Sequence, residues 1–478
     1  MDWADFGVDL HLELDASGGR RAGLERALRD AIRDGRLPPS TRLPATRVLA
    51  TELGLSRGTV SAAYDQLVAE GWLVARVGAG TEVSPLRQAA PAPAAPPAGP
   101  PPFRYDLRPG SPDVGLFPVT AWLRATRRAL AVAPAEAYGY GDPRGRPELR
   151  NALAGYLGRA RGVLADPERI VVTTGYVQAL VLLTTVLRDA GTPTMAMEDP
   201  GLAFHREVAR RHGGTVLPLP VDDRGARTDL LGTGHLARVG AAVVTPAHQF
   251  PTGVTLHPAR RHALADWARS TGGLVVEDDY DGEFRYDRQP VGAVQGTAPE
   301  QVAYVGTAAK TLGPALRLAW LVLPARLVDP VVHAKRHLDL HTETIGQLAL
   351  ADLITMHGYD RQIRTVRRRY RQRRDLLLDR LGGLGGLGGL GGLGGRFALS
   401  GISAGLHATV HLPSDGPPEA EVLAAAAARG LALSGLGGHR HHPTDRPPGL
   451  VVGYAHPPSH AYPAAVELLA RVLTDLSA

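Results

Sequence analysis

The stretch QVAYVGTAAKTLGPALRLAW, residues 301–320, holds two apolar runs separated by a loop of small residues that carries Lys310. Val302 to Gly306 reads as a buried strand, being a short uncharged run bounded by glycine. A lysine just past such a strand stands where an α/β sheet opens onto its ligand crevice. Thr307 and Arg317 flank it, a hydroxyl and a permanent cation able to hold a phosphate. The composition isolates this lysine further. Of 53 basic residues, only Lys310 and Lys335 are lysines; the rest are arginines. Arginine replaces lysine as surface charge but cannot form a Schiff base, because its guanidinium stays protonated. A chemically required lysine therefore has two places to be. Lys335, in HAKRHLDL (333–340), reads as the solvated face of an amphipathic helix, which leaves Lys310.

Upstream, Gly273 to Val276 reads as a second buried strand, ending in Glu277-Asp278-Asp279-Tyr280. An aspartate facing a pyridine nitrogen keeps it protonated, and a tyrosine can hydrogen-bond the ring's phenolic oxygen. Further upstream, Ile170 to Gly175 is a strand running into a glycine turn that opens a helix over 177–187, a place where backbone N–H groups bind phosphate. Lysine, acid, tyrosine and phosphate turn together describe a site for pyridoxal 5′-phosphate (PLP). From Tyr105 onward, apolar runs alternate with amphipathic stretches, as in βαβ units.

The first eighty residues follow another pattern. Leu24, Leu28 and Ile32, with Ala27 and Ala31, give one helix an apolar face. Leu43-Pro44-Ala45-Thr46 opens a second helix with Val48, Leu49 and Leu53 inward, ended by Gly54. Ser56 caps a third, whose stripe is Val60, Tyr64, Leu67 and Val68. Two short helices joined by Gly54-Leu55-Ser56 make a helix-turn-helix, and 72–83, turning at Gly78-Ala79-Gly80, reads as a β-hairpin wing. Ser56, Arg57 and Thr59 at the start of the third helix are short or flat donors suited to the DNA major groove, and Arg47 is placed for the backbone. Residues 84–104 hold eight prolines among alanines, a semi-rigid tether. At 381–395, LGG repeats five times, which reads as a flexible insertion in a surface loop.

These segments carry a resemblance. RLPATRVLATELGLSRGTVSAAYDQLVAEGWLVARVGAGTEV (42–83) resembles the winged helix-turn-helix of the GntR regulators. YGYGDPRGRPELR (138–150), EDPG (198–201), TPAHQFPTG (245–253), EDDYDGEFRY (277–286) and the Lys310 region resemble the MocR subfamily, whose large domain is similar to fold-type I aminotransferases. The resemblance implies a multi-domain α/β chain in three parts. These are a DNA-binding domain over 10–83, a linker over 84–104, and an aminotransferase-like domain over 105–478. The last would have a mixed, mostly parallel sheet with helices on both faces and a small C-terminal α+β subdomain. It further implies a Schiff base on Lys310, Asp278 at the pyridine nitrogen (Asp279 if the register shifts by one) and Tyr280 at the ring oxygen. Thr174, Gly175, Thr307 and Arg317 would hold the phosphate, with Tyr140 reaching in from a second subunit. DNA contacts would come from Arg47, Ser56, Arg57, Thr59 and the wing glycines Gly78 and Gly80.

Three departures matter. Leu202 follows EDPG where relatives carry a tyrosine stacked on the ring, so stacking is aliphatic or comes from elsewhere. Tyr176 replaces a small hydroxyl in the phosphate turn. GLVVGYA (449–455) has valine where aminotransferases hold the substrate carboxylate with arginine, and only Arg440 and Arg446 lie nearby. A buried carboxylate without a bidentate partner is costly. The expected function is a homodimeric transcriptional regulator that binds operator DNA and takes PLP, alone or condensed with a small amine, as effector. The alternative is an aminotransferase with an accessory N-terminal domain, and the site is compatible with a residual half-transamination. A net charge of +6 fits nucleic-acid binding, and with no cysteine there is neither a disulfide framework nor a thiolate metal site. No metal, membrane span or secretory signal is expected, which makes the cytoplasm the expected address.

Overall fold

The computed structural model describes residues 19–76, 80–85, 103–286, 291–382, 397–442 and 447–476. The chain divides into two compact units, Met1–Pro101 and Pro102–Ala478.

In the first unit, helices α1 (Arg20–Arg33), α2 (Thr46–Glu52) and α3 (Arg57–Ala69) precede strands β1 (Leu73–Arg76) and β2 (Gly80–Val83). Leu24, Leu28 and Ala31 are buried on α1, Leu49 and Ala50 on α2, and Val60, Tyr64 and Leu67 on α3, forming one core. Ile32, Leu53 and Val68 pack at its margin. Gly54 ends α2 in the left-handed region (φ +62°) that favours glycine. The buried Tyr64 hydroxyl donates to the Pro44 carbonyl at 3.0 Å, tying α3 to the segment before α2. β1 and β2 form an antiparallel hairpin registered from Leu73 opposite Val83 to Arg76 opposite Gly80. Gly78, expected at its tip, lies outside the described residues, as do 10–18 of the expected domain and 86–102 of the tether.

The second unit begins with β3 (Tyr105–Asp106), α4 (Val119–Val132), α5 (Pro147–Arg161), β4 (Ile170–Thr173), α6 (Tyr176–Asp189) and β5 (Thr194–Asp199). It continues through α7 (Ala203–Arg211), β6 (Thr215–Asp222), β7 (Gly225–Ala226), β8 (Ala241–Val244), α8 (Pro258–Thr271) and β9 (Leu274–Asp279). Then come β10 (Val302–Thr307), β11 (Ala319–Val322), α9 (Ala325–Asp339), α10 (Thr344–Thr355) and α11 (Gly358–Gly382). An eight-stranded sheet runs in the order β4-β11-β10-β9-β8-β5-β6-β7. The pairs from β10 to β6 are parallel, whereas β11 runs against both β10 and β4. Separate buried clusters join the sheet to its helices: β4 and β11 with α5 and α10, and β5 and β8 with α6 and α9. That fits the near-continuous apolar runs of strands covered on both faces. The chain then adds β12 (Ala398–Ser400), β13 (His407–His411), α12 (Glu419–Ala428), β14 (Leu431–Ala432), β15 (Ser434–Gly435), β16 (Gly449–Gly453) and α13 (Tyr462–Asp475). Their sheet is β12-β13-β16-β15, while β14 pairs with β3. The expected mixed sheet and small α+β subdomain are both present. The LGG repeat beyond Gly382 lies outside the described residues.

One expectation is overturned. Lys335 is not on a solvated helix face: it is fully buried on α9 and ion-paired to Asp339 at 2.7 Å. Its four-carbon stem lets a charged residue occupy an apolar position when a partner waits one turn on.

Candidate functional site

In the first unit, most of the residues expected to contact DNA fall at the start of α3 and on the wing. The Ser56 hydroxyl accepts the Thr59 N–H at 3.0 Å, capping the helix, and lies 2.8 Å from the Thr59 hydroxyl. Arg47 and Arg57 are exposed and form no ion pair among the described residues. Nearby arginines are neutralised: Arg29 by Glu25 and Glu70, Arg76 by Glu82. Sequence reasoning missed Arg42. Its guanidinium lies across Gly80, where an added Cβ would sit 3.2 Å from Nε and the backbone has φ +94°. Gly80 thus seats an arginine on the wing. The sequence signal was only a glycine in a hairpin, which does not say what lies above it.

In the second unit, a cavity of about 470 Å³ opens at the C-terminal ends of the central strands. Gly175, Thr307, Arg317, Asp278, Tyr280 and Lys310 all line it, so the structure brings these expected residues together. Alternation along β9 sends the two aspartates to opposite faces, and their partners show which faces the cavity. Asp279 turns the other way, pairing with buried Arg161 at 2.7 Å and accepting the Tyr304 hydroxyl at 2.6 Å. Glu277 shares that direction and accepts the Val294 and Gln295 amides. Asp278 is left to the cavity, buried and without an ion pair among the described residues. Burial first, and the Asp279 charge second, push its carboxyl well above the ordinary range. A buried acid in that condition calls for a cation or a donor. Burial equally lowers the Lys310 ammonium, so the neutral amine is populated at lower pH than for a free lysine. Its Nζ donates to the Gly110 carbonyl. The Tyr280 hydroxyl donates to the His248 carbonyl at 3.1 Å.

The anion end is built from strained and glycine backbone. Gly175 caps α6 at φ +118°, and a Cβ there would meet the Arg317 Nη2 at 2.7 Å. Arg317 itself takes φ +53°, a left-handed conformation held for its position. Gly306 has no side chain because the Trp320 indole fills that space. The helix N-terminus, the Thr307 hydroxyl and the Arg317 guanidinium can receive a phosphate. Thr174 does not line the cavity; its N–H donates to Gln178 Oε1 at 2.8 Å. Tyr140 is 90% exposed, its ring edge-on to His341 and away from its own chain's cavity.

The sequence also missed His205, one turn beyond Leu202 on α7. It lines the cavity with its ring stacked on Tyr176 at 4.3 Å between centroids, and burial holds its imidazole down to about 3. Leu202 lines the cavity too, but is 36% exposed. Spacing from EDPG was the only available signal. Glu198 lies beside Asp278, raised by burial to about 7 although it accepts from Thr245 and Gln249. Of the other arginines that line the cavity, Arg108 is paired with Asp106 at 2.6 Å. Buried Arg206 is occupied by the carbonyls of Gly201, His439 and Arg440. Arg440 donates to the Pro447 carbonyl, β16 is buried valine and leucine between glycines, and Arg446 lies outside the described residues. No helix of the described residues is long and apolar enough to cross a membrane.

Two family models match the chain. Bacterial regulatory proteins of the gntR family match over residues 21–83, and aminotransferase class I and II over 106–412. The chain is 32% identical over 436 residues to the HTH-type pyridoxine biosynthesis transcriptional regulator PdxR of Corynebacterium glutamicum, covering 90% of this chain and 91% of that regulator. It is 34% identical over 390 residues to the probable rhizopine catabolism regulatory protein MocR of Rhizobium meliloti, 77% and 78% of the two chains. Among solved structures, the second unit is similar in fold to a multiple substrate aminotransferase from Thermococcus profundus. There the TM-score is 0.68 at 24% identity, covering 78% of this chain and 91% of that one.

Proposed function

The chain belongs to the MocR-type GntR transcriptional regulators, a helix-turn-helix joined to an aminotransferase-like domain, and from that membership we propose that its DNA binding is governed by PLP held on Lys310. One observation carries the reading: Lys310 and Asp278, which forms no ion pair among the described residues, line one cavity together with a glycine, a hydroxyl and a guanidinium. A cationic ring nitrogen answers what Asp278 lacks, and a phosphate answers those three groups. When bound, PLP supplies an aldehyde that condenses with amines and a ring that accepts electrons.

The chain's own residues do the rest. Lys310, lowered by burial, presents a nucleophilic amine. Asp278 holds a proton on the ring nitrogen, and Tyr280 orients the ring oxygen. Gly175, Thr307 and Arg317 bind the phosphate, with Thr174 contributing through the shape of the turn. His205, backed by Tyr176, takes the stacking role that Leu202 cannot fill. Because Arg206 and Arg440 are engaged by backbone carbonyls and Arg108 by Asp106, an α-amino acid would bury its carboxylate without a free bidentate partner. This favours PLP itself, or PLP with an amine lacking that group, as the effector.

A homodimer fits the surface. Val119, Leu123 and Val132 of α4, together with Tyr138, Tyr140, Leu340 and Ile345, are large apolar residues left exposed. A second subunit would cover them and bring Tyr140 to its neighbour's site. Arg47, Ser56, Arg57, Thr59, Arg42 and the Gly80 wing would meet operator DNA in the compartment that holds it, the cytoplasm. Borohydride reduction followed by peptide mapping tests the pocket, with Lys310 expected as the labelled residue. Footprinting on the chain's own upstream DNA, with and without PLP, tests the coupling. A label elsewhere, or a footprint indifferent to PLP, overturns the reading.

A further inference from the structure

The second lysine of the chain is left without a role by everything above. Lys335 is fully buried, and its Nζ donates to both carboxylate oxygens of Asp339, at 2.7 and 2.9 Å. Asp339 Oδ2 also accepts the Gln178 Nε2 at 2.6 Å. Gln178, on the first turn of α6, turns its other end to the chain: its Oε1 accepts the Thr174 N–H at 2.8 Å. A continuous hydrogen-bonded chain therefore runs from Lys335 on α9 to the turn between β4 and α6 that forms the anion cradle. A second tie enters from the same side, where the Thr342 hydroxyl donates to the Val172 carbonyl of β4 at 3.2 Å.

We propose that Lys335, Asp339 and Gln178 are positioning residues that hold the Thr174–Gly175 turn in its phosphate-binding shape; the inference rests on the PLP reading and deepens it. Each link has a chemical reason. The Gln178 amide has an acceptor for Thr174 and a donor for Asp339, so it orients in one sense only. The buried Lys335 ammonium needs an anion, and the half-buried Asp339 supplies it while accepting from Gln178. Arginine, used at nearly every other basic position, would bring five donors in a rigid fork to a site that offers one carboxylate. A compact ammonium on a thin stem fits where a guanidinium leaves donors unsatisfied. The two lysines of the chain thus serve opposite ends of one ligand, Lys310 at the aldehyde and Lys335, through two intermediaries, at the phosphate.

The test compares PLP with pyridoxal, which has the same aldehyde and ring but no phosphate. Full-length wild-type protein, Gln178→Leu, Lys335→Met and Lys335→Arg are titrated with each, followed by visible absorbance. The proposal expects Gln178→Leu to raise the Kd for PLP about tenfold, the loss of one charge-coupled hydrogen bond, while the Kd for pyridoxal stays within about twofold. Lys335→Met shifts the same way by less, and Lys335→Arg does not restore wild-type behaviour. Equal weakening of both ligands would mark a merely structural role and overturn the proposal, as would unchanged PLP affinity. If Lys335→Met fails to fold, Gln178→Leu decides alone, since it leaves the Lys335–Asp339 pair intact. If wild-type protein captures neither ligand on Lys310, the cofactor reading has failed and the proposal falls with it.

Discussion

The two units of this chain handle charge in opposite ways. In the helix-turn-helix unit, Arg47 and Arg57 stand in solvent with no partner among the described residues. In the larger unit, Asp278 and Glu198 are buried and Lys310 and His205 half-buried, and burial is the first cause of every shift in their protonation. Exposed charges act through a high dielectric and are screened by salt over about 10 Å. Enclosed ones are governed by desolvation, which salt barely touches and pH does. One polypeptide thus joins a unit whose exposed charges respond to salt to a cavity whose groups respond to pH.

The largest effect should come from Lys310→Ala, which removes covalent capture entirely; mass spectrometry after borohydride reduction checks it, and a surviving label breaks the division. In wild-type protein, capture should quicken as pH rises, with its inflection below the 10.5 of an ordinary lysine because burial disfavours the ammonium. Stopped-flow absorbance across pH measures this, and raising salt from about 50 to about 200 mM should leave the inflection in place. An inflection at or above the ordinary value would mean that Lys310 is not desolvated. Asp278→Asn keeps the shape but loses the charge opposite the ring nitrogen, and should weaken PLP binding about a hundredfold in an equilibrium titration. Asp279→Asn is the contrast. It strikes the Arg161 pair behind the strand and should lower thermal stability more than ligand affinity.

How far the sequence could be read follows the same divide. The lysine loop, the glycine turns and the Ser56 cap were legible because each is local chemistry written in consecutive residues. Strand alternation was not enough to choose between Asp278 and Asp279, since both sit in one acidic run and only Arg161, more than a hundred residues away, shows which is turned aside. Lys335 was misread for a related reason. A helix periodicity cannot distinguish a solvated lysine from a buried one whose partner stands four residues on. His205 and Arg42 were missed because stacking on Tyr176 and seating over Gly80 are tertiary contacts with no sequence pattern of their own.

On the exposed side, Arg57→Ala should weaken operator binding about tenfold and reduce the salt slope by about one, as loss of a single phosphate contact requires. Fluorescence anisotropy at several salt concentrations measures both. A weaker affinity with an unchanged slope would mean that Arg57 touches a base edge or only supports the fold.

The smallest effect separates two roles held by one hydroxyl. Ser56 caps α3 by accepting the Thr59 amide, and it also stands at the helix end expected to face DNA. Ser56→Ala removes both functions, so on its own it cannot say which one matters. It should cost about 1 kcal/mol in denaturant unfolding of the unit, with operator affinity falling alongside. Ser56→Asp breaks the tie. Aspartate caps a helix as well as serine and favours the positive end of its dipole, so stability should match or exceed wild type. The same carboxylate would face the phosphates and repel them. Operator affinity should therefore drop further in Ser56→Asp than in Ser56→Ala, although the first variant is the more stable. If affinity instead follows stability across both variants, Ser56 serves only the helix, and the DNA-facing surface begins at Arg57.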